Sequence, residues 1–430
     1  MRVLIASAGS HGDVFPFIAI GREMFARGHE VLFFGNPCFR EYVTTVGMQF
    51  VPISTSEEYH RVFGEIAEDD PAKALKRITA HFGEICGDYY MALKANVIPR
   101  QTITVSSSVF FAPRLLSETD GVPCVAVHLA PNVIRSNIKP ARSAPNWIHA
   151  GTPALIKRFA YWSADTFFLD PYFTKPLNTL RAALRLPPLT RIFGSWINEA
   201  DCLIGMFPDW YAERQLDWPS KMVMSGFPLY DHGAQAPLAD ELNEFIAAGP
   251  APVAFSAGTA NANAGAFFRA SVEACRIAGL RAILLSNFAG QIPASLPNGV
   301  IHVQYAPFGS LLPKLAAFVH HGGIGSTSQA LKAGVPQLIR PVAYDQFDNS
   351  ARAERLGVAR ELLPKQYSAR AAATALSQLM SDTKLHGRCS EIAKRLADNP
   401  ALQIACNAIE AELGLTGGST RTSMLRIAAG

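Results

Sequence analysis

A glycine-rich stretch near residue 320 has the composition of a phosphate-binding loop. The apolar run 316–320 predicts a short buried strand, and a helix is predicted to begin at Ser326, with Gln329 at capping-box spacing. The turn between them contains three glycines, Gly322, Gly323 and Gly325. Glycines let a backbone approach an anion closely, and a helix N-terminus offers it free N–H groups, so a diphosphate fits such a loop. We expect His321, Ser326 and Thr327 to donate hydrogen bonds at the same place.

A polar cluster follows the next apolar run. Residues 337–341 predict a second strand, and the segment Tyr344-Asp-Gln-Phe-Asp-Asn349 comes directly after it. Ligands of open α/β sheets bind at the carboxyl ends of the strands. We expect Asp345, Gln346 and Asn349 to bind the sugar side of a donor there. A phosphate loop beside groups that bind hydroxyls predicts a nucleotide-sugar site, although a glycine turn of this kind can also serve packing alone.

The third candidate group, Gly12 and Asp13, follows a strand predicted over 2–8. Asp13 can cap the next helix as its N-cap residue. Its carboxylate can also remove a proton from a hydroxyl nucleophile, and His11 is the alternative base. A dinucleotide site is not expected, because the loop lacks G-x-G-x-x-G and the second strand ends in Gly35-Asn36 instead of an acid.

These motifs together resemble the donor signature of GT-B glycosyltransferases of family 1. The resemblance rests on His321-Gly-Gly-Ile-Gly-Ser326, Ala333-Gly-Val-Pro336 and Pro341-x3-Asp-Gln-Phe-Asp-Asn349. Over nearly its whole length the sequence is also similar to the rhamnosyltransferases of rhamnolipid biosynthesis. That likeness includes Gly12-Asp-Val-Phe-Pro-Phe17 and Ser225-Gly-Phe-Pro-Leu-Tyr230.

The resemblance implies roles for further residues. It places Asp13 at the position of the base and Gly12 at the donor. Gly258 and Thr259 match a second diphosphate contact, although a plain strand-to-helix turn explains them equally well. Tyr305 and Ala306 match the position that faces the nucleotide base, where a ring can stack.

Two residues are expected on the acceptor side. Phe15 lies beside the candidate base in sequence, within a Phe15-Pro-Phe17 turn that suits a hydrophobic tunnel. His128 ends a strand predicted over 123–130 and so lies at the active edge. The alternative for His128 is a histidine at a loop end with no ligand.

Strands and helices alternate along the chain, which predicts parallel, doubly wound sheets in an α/β protein. A chain of 430 residues exceeds one ordinary core, and the resemblance implies a GT-B fold, with two Rossmann-like domains facing across a cleft. We expect an N-terminal acceptor-binding domain over 1–225, a linker over 226–250 and a nucleotide-sugar-binding domain over 251–395. A closing helix over 396–415 is expected to cross back to the N-terminal domain, before a disordered tail over 416–430.

Composition excludes several function classes. The net charge of +4 is too small to indicate a nucleic-acid partner. The seven cysteines are scattered without C-x-x-C, which predicts neither zinc nor disulfides and fits a reducing cytoplasm. No Asp-x-Asp occurs, so we expect no metal and no cofactor besides the nucleotide sugar as co-substrate.

An aromatic stretch over 147–173 has three interpretations. It can be helix core, a wall for a lipidic acceptor, or a surface-seeking amphipathic segment, since Lys157 and Arg158 lie within it. No apolar run is long enough to span a bilayer. We therefore expect a cytoplasmic protein with scope for peripheral contact with the inner membrane.

The sequence and the resemblance together predict an inverting, metal-independent glycosyltransferase. The resemblance implies transfer of L-rhamnose from dTDP-L-rhamnose to the hydroxyl of a β-hydroxy fatty-acyl lipid. UDP-glucose or another donor, and a sterol, polyketide or other small alcohol as acceptor, are the alternatives. A nucleotide-sugar epimerase and a sugar-nucleotide-binding regulatory subunit are the rival classes.

Overall fold

The computed structural model describes residues 1–64, 71–142, 148–230, 237–259 and 261–414. Trp147 of the aromatic stretch and the tail 416–430 lie outside these ranges, as do residues 231–236 of the expected linker.

The first domain is built on a seven-stranded parallel sheet in the order β3-β2-β1-β4-β5-β6-β7. Its strands are β1 (Arg2–Ala6), β2 (Glu30–Gly35), β3 (Gln49–Pro52), β4 (Thr102–Ser107), β5 (Cys124–His128), β6 (Cys202–Gly205) and β7 (Met222–Met224). Its helices are α1 (His11–Ala26), α2 (Arg40–Thr44), α3 (Ser56–Tyr59), α4 (Pro71–Ala95), α5 (Ala112–Asp120), α6 (Ala154–Ala164) and α7 (Asp170–Ala183).

Strand β1 lies at the centre of this domain because it is apolar on both faces. Val3 and Ile5 belong to the same core cluster as the inner face of α1, whereas Leu4 and Ala6 pack with residues of α4 and α5. All four side chains are fully buried. A parallel strand covered on both faces has this pattern.

The second domain has a six-stranded parallel sheet in the order β10-β9-β8-β11-β12-β13. Its strands are β8 (Val253–Ser256), β9 (Ala282–Leu285), β10 (Val300–Val303), β11 (Ala317–His320), β12 (Gln337–Ile339) and β13 (Ala359–Glu361). The helices are α8 (Asp240–Ala247), α9 (Gly265–Ala278), α10 (Phe308–Leu311), α11 (Ile324–Ala333), α12 (Gln346–Arg355), α13 (Ala369–Ser381), α14 (Thr383–Arg395) and α15 (Ala401–Glu412).

Both sheets reverse their strand order beside their first strand. In one sheet β1 lies between β2 and β4, and in the other β8 lies between β9 and β11. The connections that leave such neighbours run to opposite faces, so a crevice opens at their carboxyl ends. Residues 7–13 follow β1, and the glycine loop 321–323 follows β11. Topology alone therefore places both candidate motifs at a crevice.

Contacts between the domains include two groups of ion pairs. Helix α15 packs against α1, where Arg27 Nη1 lies 2.8 Å from one Glu410 oxygen and His29 Nε2 lies 3.0 Å from the other. On another side, the Arg142 guanidinium binds both carboxylate oxygens of Glu361 at 2.6 and 2.8 Å. The buried side chains of α15, Ala405, Cys406 and Ile409, lie in the core of the first domain, so the chain crosses back to that domain after α14.

The junction between the domains differs from the sequence-based expectation. The first sheet ends with β7, a strand of three residues that is too short to give a clear sequence pattern. Leu238 and Leu242, within the expected linker, are buried with Phe318 in the core of the second domain. Part of that range is thus domain structure.

The first interpretation of the aromatic stretch, helix core, is wrong for most of its rings. Phe159, Trp162, Phe167 and Phe168 are exposed, although Phe173 packs against the interior. Within the described ranges no helix combines the length and apolarity needed to cross a membrane.

Candidate active site

The crevice of the second sheet brings two loops together. Gly258, after β8, has φ of +94°, and Gly322, after β11, has φ of +90°, conformations that favour glycine. The imidazole of His321 lies between the two loops. A Cβ added at Gly258 would lie 3.0 Å from His321 Cε1, and one added at Gly323 would lie 2.6 Å from His321 Nε2. These glycines therefore make room for the ring of His321.

The Nδ1 atom of His321 is buried and makes no hydrogen bond among the described residues. Burial lowers the pKa of His321 to about 4. The ring is therefore neutral near pH 7 and carries a single N–H donor. A buried polar atom without a partner is costly, and a ligand bound at this loop could supply the missing hydrogen bond.

The N-cap of helix α11 lies three residues before Ser326, the residue that we expected to cap it. This N-cap is Gly323, and Ser326 lies inside the first turn, so the proposed Ser326 cap is wrong. Gln329 does not form the expected capping box, since its amide donates to the backbone oxygen of Tyr230 at 3.2 Å. Glycine as N-cap supplies no capping side chain of its own, which leaves the N–H groups of Gly325 and Ser326 for an anion.

Solvent can reach Ser326 but not the hydroxyl of Thr327. Thr327 is fully buried, and its Oγ1 makes no hydrogen bond among the described residues. Ser326 is partly exposed, and Gly325 is open to solvent, with no atom within 4 Å of an added Cβ. The approach to the helix end is thus free at Gly325 and Ser326.

Asp345 connects the second polar motif to this helix. Its Oδ2 accepts from the backbone N–H of Ile324 at 3.1 Å and from Asn349 Nδ2 at 2.7 Å. Asn349 is fully buried; its Nδ2 also donates to Gly322 O at 3.0 Å, and its Oδ1 accepts from Tyr211. The geometry makes Asn349 a positioning residue rather than the direct donor contact that we expected.

Gln346 is partly engaged by its own loop. Its Oε1 accepts from the backbone N–H groups of Val342 and Ala343 at 2.8 and 3.0 Å. These bonds fix the amide, and its Nε2 remains as a donor. Gln346 is therefore arranged to donate to a ligand hydroxyl, not to accept from one.

Two residues of this region were missed by sequence reasoning. His320 Nδ1 accepts from the N–H of Gly322 at 3.1 Å, and its Nε2 lies 3.0 Å from Gln337 Oε1, so this buried ring holds the glycine loop. Tyr344 has φ of +55°, which is rare for a residue with a Cβ. A polar residue inside an apolar strand was a signal for His320, but no sequence pattern indicates the backbone of Tyr344.

Asp13 lies at the crevice of the first sheet, in the first turn of α1. The N-cap is Ser10, not Asp13 as expected, and Asp13 completes the capping box. Its Oδ2 accepts from Ser10 N at 2.8 Å and from Ser10 Oγ at 2.9 Å. Gly9 has φ of +126°, and a Cβ there would lie 2.5 Å from Oδ2. The loop therefore needs glycine at position 9 to hold the carboxylate.

The carboxylate of Asp13 remains open to the cleft. The protein around it limits its hydration and raises the pKa of Asp13, while the two bonds from Ser10 act in the opposite direction. A raised pKa makes a carboxylate a stronger base, which suits proton removal from a hydroxyl. Both bonds are to Oδ2, so Oδ1 is the atom that can take the proton.

His11 lies in an aromatic environment. Its ring makes edge contacts with Phe15, Phe39 and Tyr42, at centroid distances of 5.1, 5.3 and 5.9 Å. Burial lowers the pKa of His11. Phe15 also contacts Tyr230 at 5.5 Å, so it forms part of an aromatic wall beside Asp13. In the described part of the chain His11 makes no hydrogen bond to Asp13.

Three further candidates take different positions. His128 is fully buried, with Nδ1 2.9 Å from Ser108 Oγ, and burial lowers its pKa to about 4; it does not face the cleft as expected for an acceptor contact. Tyr305 is exposed just after β10, where its ring is accessible for stacking, whereas Ala306 is buried beneath it. Thr259 is exposed beside Gly258.

The two crevices face each other. The negative charge of Asp13, on the first domain, contributes to raising the pKa of Asp345, on the second. Gly12 is exposed beside Asp13 at the start of α1. A base is thus placed across the cleft from a loop that suits a diphosphate. Among the described residues no group of three or more His, Cys, Asp or Glu side chains could hold a metal ion.

Solved structures of glycosyltransferases share this architecture. The "Glycotransferase of kitacinnamycin" has a TM-score of 0.74 and 20% identity, covering 96% of this chain and 99% of that one. "Spinosyn Rhamnosyltransferase SpnG complexed with thymidine diphosphate" has a TM-score of 0.65 and 14% identity, covering 95% and 100%. At these identities the likeness shows the fold.

Two family models also match the chain. The model "Glycosyltransferase family 28 N-terminal domain" matches residues 3–137, and "Erythromycin biosynthesis protein CIII-like, C-terminal domain" matches residues 282–411. The chain is a GT-B glycosyltransferase. The first model contains Asp13, and the second contains the glycine loop of this glycosyltransferase together with Asp345.

Curated relatives agree at the level of reaction class. O-mycaminosyltylonolide 6-deoxyallosyltransferase of Streptomyces fradiae is 26% identical, over 95% of this chain and 97% of its own. Glycosyltransferase GtfC of Amycolatopsis orientalis is 28% identical, over 83% and 85%. Both relatives are named as transferases of sugars, in accord with a glycosyltransferase that uses a nucleotide sugar.

Proposed function

We propose that the protein transfers L-rhamnose from dTDP-L-rhamnose to the hydroxyl of a β-hydroxy fatty-acyl lipid, with inversion and without a metal ion. The observation that carries the sugar transfer is the position of Asp13, a base of raised pKa, across the cleft from the helix end and neutral His321 of the donor loop. The rhamnosyl donor and the lipid acceptor rest on the sequence resemblance and on an apolar cleft described below.

The donor loop stabilises the leaving group. The N–H groups of Gly325 and Ser326 and the positive end of the α11 dipole favour a diphosphate at the helix end. His321 donates one further hydrogen bond as a neutral ring. Because these dipoles are fixed in place before the reaction, they stabilise charge that develops on the leaving oxygen.

The base acts on the acceptor. The acceptor hydroxyl gives its proton to Asp13 Oδ1 while its oxygen forms a bond to the anomeric carbon of the sugar. The bond from that carbon to the diphosphate breaks, and thymidine diphosphate leaves with the electron pair. Attack on the side opposite the leaving group inverts the anomeric configuration.

The donor-side polar groups orient the sugar. Gln346 Nε2 donates to a sugar hydroxyl, and Asp345 accepts from another. Asn349 holds Asp345 in position, because its side-chain amide donates hydrogen bonds both to Asp345 and to the backbone of the glycine loop. Tyr305, exposed after β10, offers its ring to the thymine base.

An apolar cleft supports a lipidic acceptor. It lies between α4 and α7, next to the loop after β4, and is lined by Phe82, Gly83, Cys86, Val109, Phe111 and Phe173, among others. Gly83 sits directly against Pro176, because a Cβ at residue 83 would lie 2.5 Å from that of Pro176. The lining of this cleft is apolar, which favours an acyl chain over a polar acceptor, and each buried methylene contributes about 0.8 kcal/mol.

A polyketide alcohol is the second candidate acceptor. It is favoured by the relative from Streptomyces fradiae, whose name gives O-mycaminosyltylonolide as its acceptor and whose match spans nearly the whole chain. UDP-glucose remains the second candidate donor.

Mass spectrometry of reaction products tests the proposal. The enzyme is incubated with dTDP-L-rhamnose, dTDP-glucose or UDP-glucose, each with 3-hydroxydecanoyl-3-hydroxydecanoate, with a macrolide alcohol, or with no acceptor. Rhamnosylated lipid is the expected product. Product only from the macrolide moves the assignment to the second candidate. Conversion of a donor without acceptor into an isomeric sugar nucleotide of the same mass, resolved by chromatography, indicates an epimerase instead, and no turnover of any donor contradicts the transfer itself.

A further inference from the structure

Helix α6 exposes large apolar side chains to solvent and buries the charged side chain of Lys157, the reverse of the usual arrangement in water. Its outer face and the π-helical turn after it, Asp165–Leu169, expose large apolar side chains to solvent. We call these residues the apolar ridge: Leu155, Ile156, Phe159, Trp162, Phe167 and Phe168. Leu155 is 79% exposed, and Phe159 and Phe168 are each 64% exposed.

Two charged residues of this segment, Lys157 and Asp165, point inward. Lys157 is 2% exposed, and its Nζ donates to the backbone oxygens of Asn137 and Ala150, each at 2.8 Å. Asp165 is also buried and forms an ion pair with Arg135. These polar contacts fix the helix in this orientation, so the ridge cannot turn inward without breaking them.

The ridge forms one continuous surface. The ring centroids of Phe159 and Trp162 are 5.6 Å apart, and those of Trp162 and Phe167 are 5.8 Å apart. Single exposed apolar residues are ordinary, but a contiguous group marks a site of interaction. The row follows consecutive turns of a helix, so it projects outward as a convex edge.

The charged residues near the apolar ridge indicate what kind of partner binds to it. Lys157, Arg158 and Asp165 are the charged residues between positions 148 and 169, and of these only Arg158 is exposed. A row of aromatic and aliphatic side chains with an exposed arginine fits a bilayer interface, where rings enter the acyl boundary and the guanidinium meets lipid phosphates.

The ridge also leads toward the apolar cleft. The π-helical turn runs directly into α7, whose Phe173 and Leu177 line that cleft. We propose that the apolar ridge docks the enzyme on an anionic phospholipid surface. Docking in this orientation depends neither on the sugar that is transferred nor on Asp13 as base.

Vesicle sedimentation tests the docking without any substrate. The full chain is mixed with vesicles of phosphatidylcholine alone, or of phosphatidylcholine with phosphatidylglycerol. The triple variant Phe159→Ser, Trp162→Ser, Phe167→Ser removes the centre of the ridge. Leu216→Ser is the matched control, because Leu216 is 98% exposed outside the ridge, between β6 and β7. Thermal unfolding of each variant checks that the fold is retained.

We expect the unaltered chain and the Leu216→Ser variant to sediment with vesicles, more strongly when phosphatidylglycerol is present. The triple variant should bind at least about tenfold more weakly, and Arg158→Glu should lose the preference for the anionic vesicles. Equal binding by the triple variant would overturn the proposal, as would failure of the unaltered chain to bind either vesicle. Self-association that the triple variant abolishes, without vesicle binding, would instead assign the ridge to a second copy of the chain.

Discussion

Asp345 Oδ2 accepts a hydrogen bond from the backbone N–H of Ile324, 3.1 Å away, at the start of helix α11. One carboxylate therefore joins the loop that faces the sugar to the helix end that faces the diphosphate. Its negative charge lies where the donor brings further negative charge. The protonation state of Asp345 should consequently control donor affinity.

Donor binding should weaken as pH rises through about 6. Burial, with a contribution from the charge of Asp13, raises the pKa of Asp345 to about 6. Below this pH the group is neutral and tolerates a diphosphate; above it the carboxylate repels one. Between pH 5.5 and 7.5 we expect the affinity for dTDP-glucose to fall by roughly three- to tenfold.

Calorimetry with dTDP-glucose measures this effect cleanly, since its diphosphate is a diester with no phosphate that titrates near pH 6. Asp345→Asn retains the acceptor for Ile324 and should bind with an affinity that hardly changes over this range. The same pH slope in the Asn variant would assign the titration to another group.

His321→Ala should weaken binding of thymidine diphosphate by roughly 1.5–3 kcal/mol, the cost of losing a hydrogen bond to a charged group. Because burial lowers the pKa of His321 to about 4, the loss should be the same at pH 6 and pH 8. His386→Ala, on α14, is the matched control. Calorimetry that finds the two variants equal would remove His321 from the donor site.

Gly323→Ala should reproduce much of the loss caused by His321→Ala. A Cβ at this position would lie 2.6 Å from His321 Nε2 and would displace the ring. The two changes combined should therefore weaken diphosphate binding by less than the sum of their separate effects, as measured by a double-mutant cycle. Gly387→Ala, where an added Cβ meets no atom within 4 Å, is the control. Additive losses would show that Gly323 acts independently of the ring.

Asp13→Asn should reduce turnover by roughly 10² to 10⁴ while donor affinity stays nearly intact. Asparagine keeps an oxygen that can accept from Ser10, so the capping box at the start of α1 survives. Turnover is measured with saturating donor and acceptor, and affinity by calorimetry. Near-normal turnover would make His11, in its aromatic surroundings, the better candidate for the base.

Val109→Trp should shorten the acyl chain that the enzyme prefers. Val109 lines the cleft between α4 and α7, and a larger ring there would occupy the path of a long chain. KM should fall stepwise with chain length in the unaltered enzyme but level off early in the variant. Ile277→Trp, exposed on α9, controls for the added ring. A flat response to chain length in the unaltered enzyme would contradict a lipid tunnel here.

Much of the architecture follows from local sequence signals. Apolar runs such as 316–320, each followed by glycines and a helix, were enough to predict parallel sheets with loops at their carboxyl ends. The positions of His321 and Asp345 at one crevice followed from the same reasoning, since strand ends of one sheet lie together.

Side-chain partners were harder to foresee because they depend on helix starts, and both N-caps lie three residues before the expected ones. Ser10 and Gly323 became the N-caps, so Asp13 and Ser326 took positions inside the first turns. His128 illustrates a second limit: a residue at a strand end can point into the core as readily as into the cleft. Trp162 points to solvent because the buried hydrogen bonds of Lys157 fix the orientation of helix α6. No local sequence pattern reveals those hydrogen bonds.

The anomeric configuration of the product tests the central claim most directly. The enzyme is supplied with dTDP-L-rhamnose and a β-hydroxy fatty-acyl acceptor, and the product is examined by NMR through the one-bond carbon–proton coupling at C1. Direct attack by the hydroxyl that Asp13 deprotonates gives a glycoside whose configuration is opposite to that of the donor. A product with the donor's configuration retained would contradict the account.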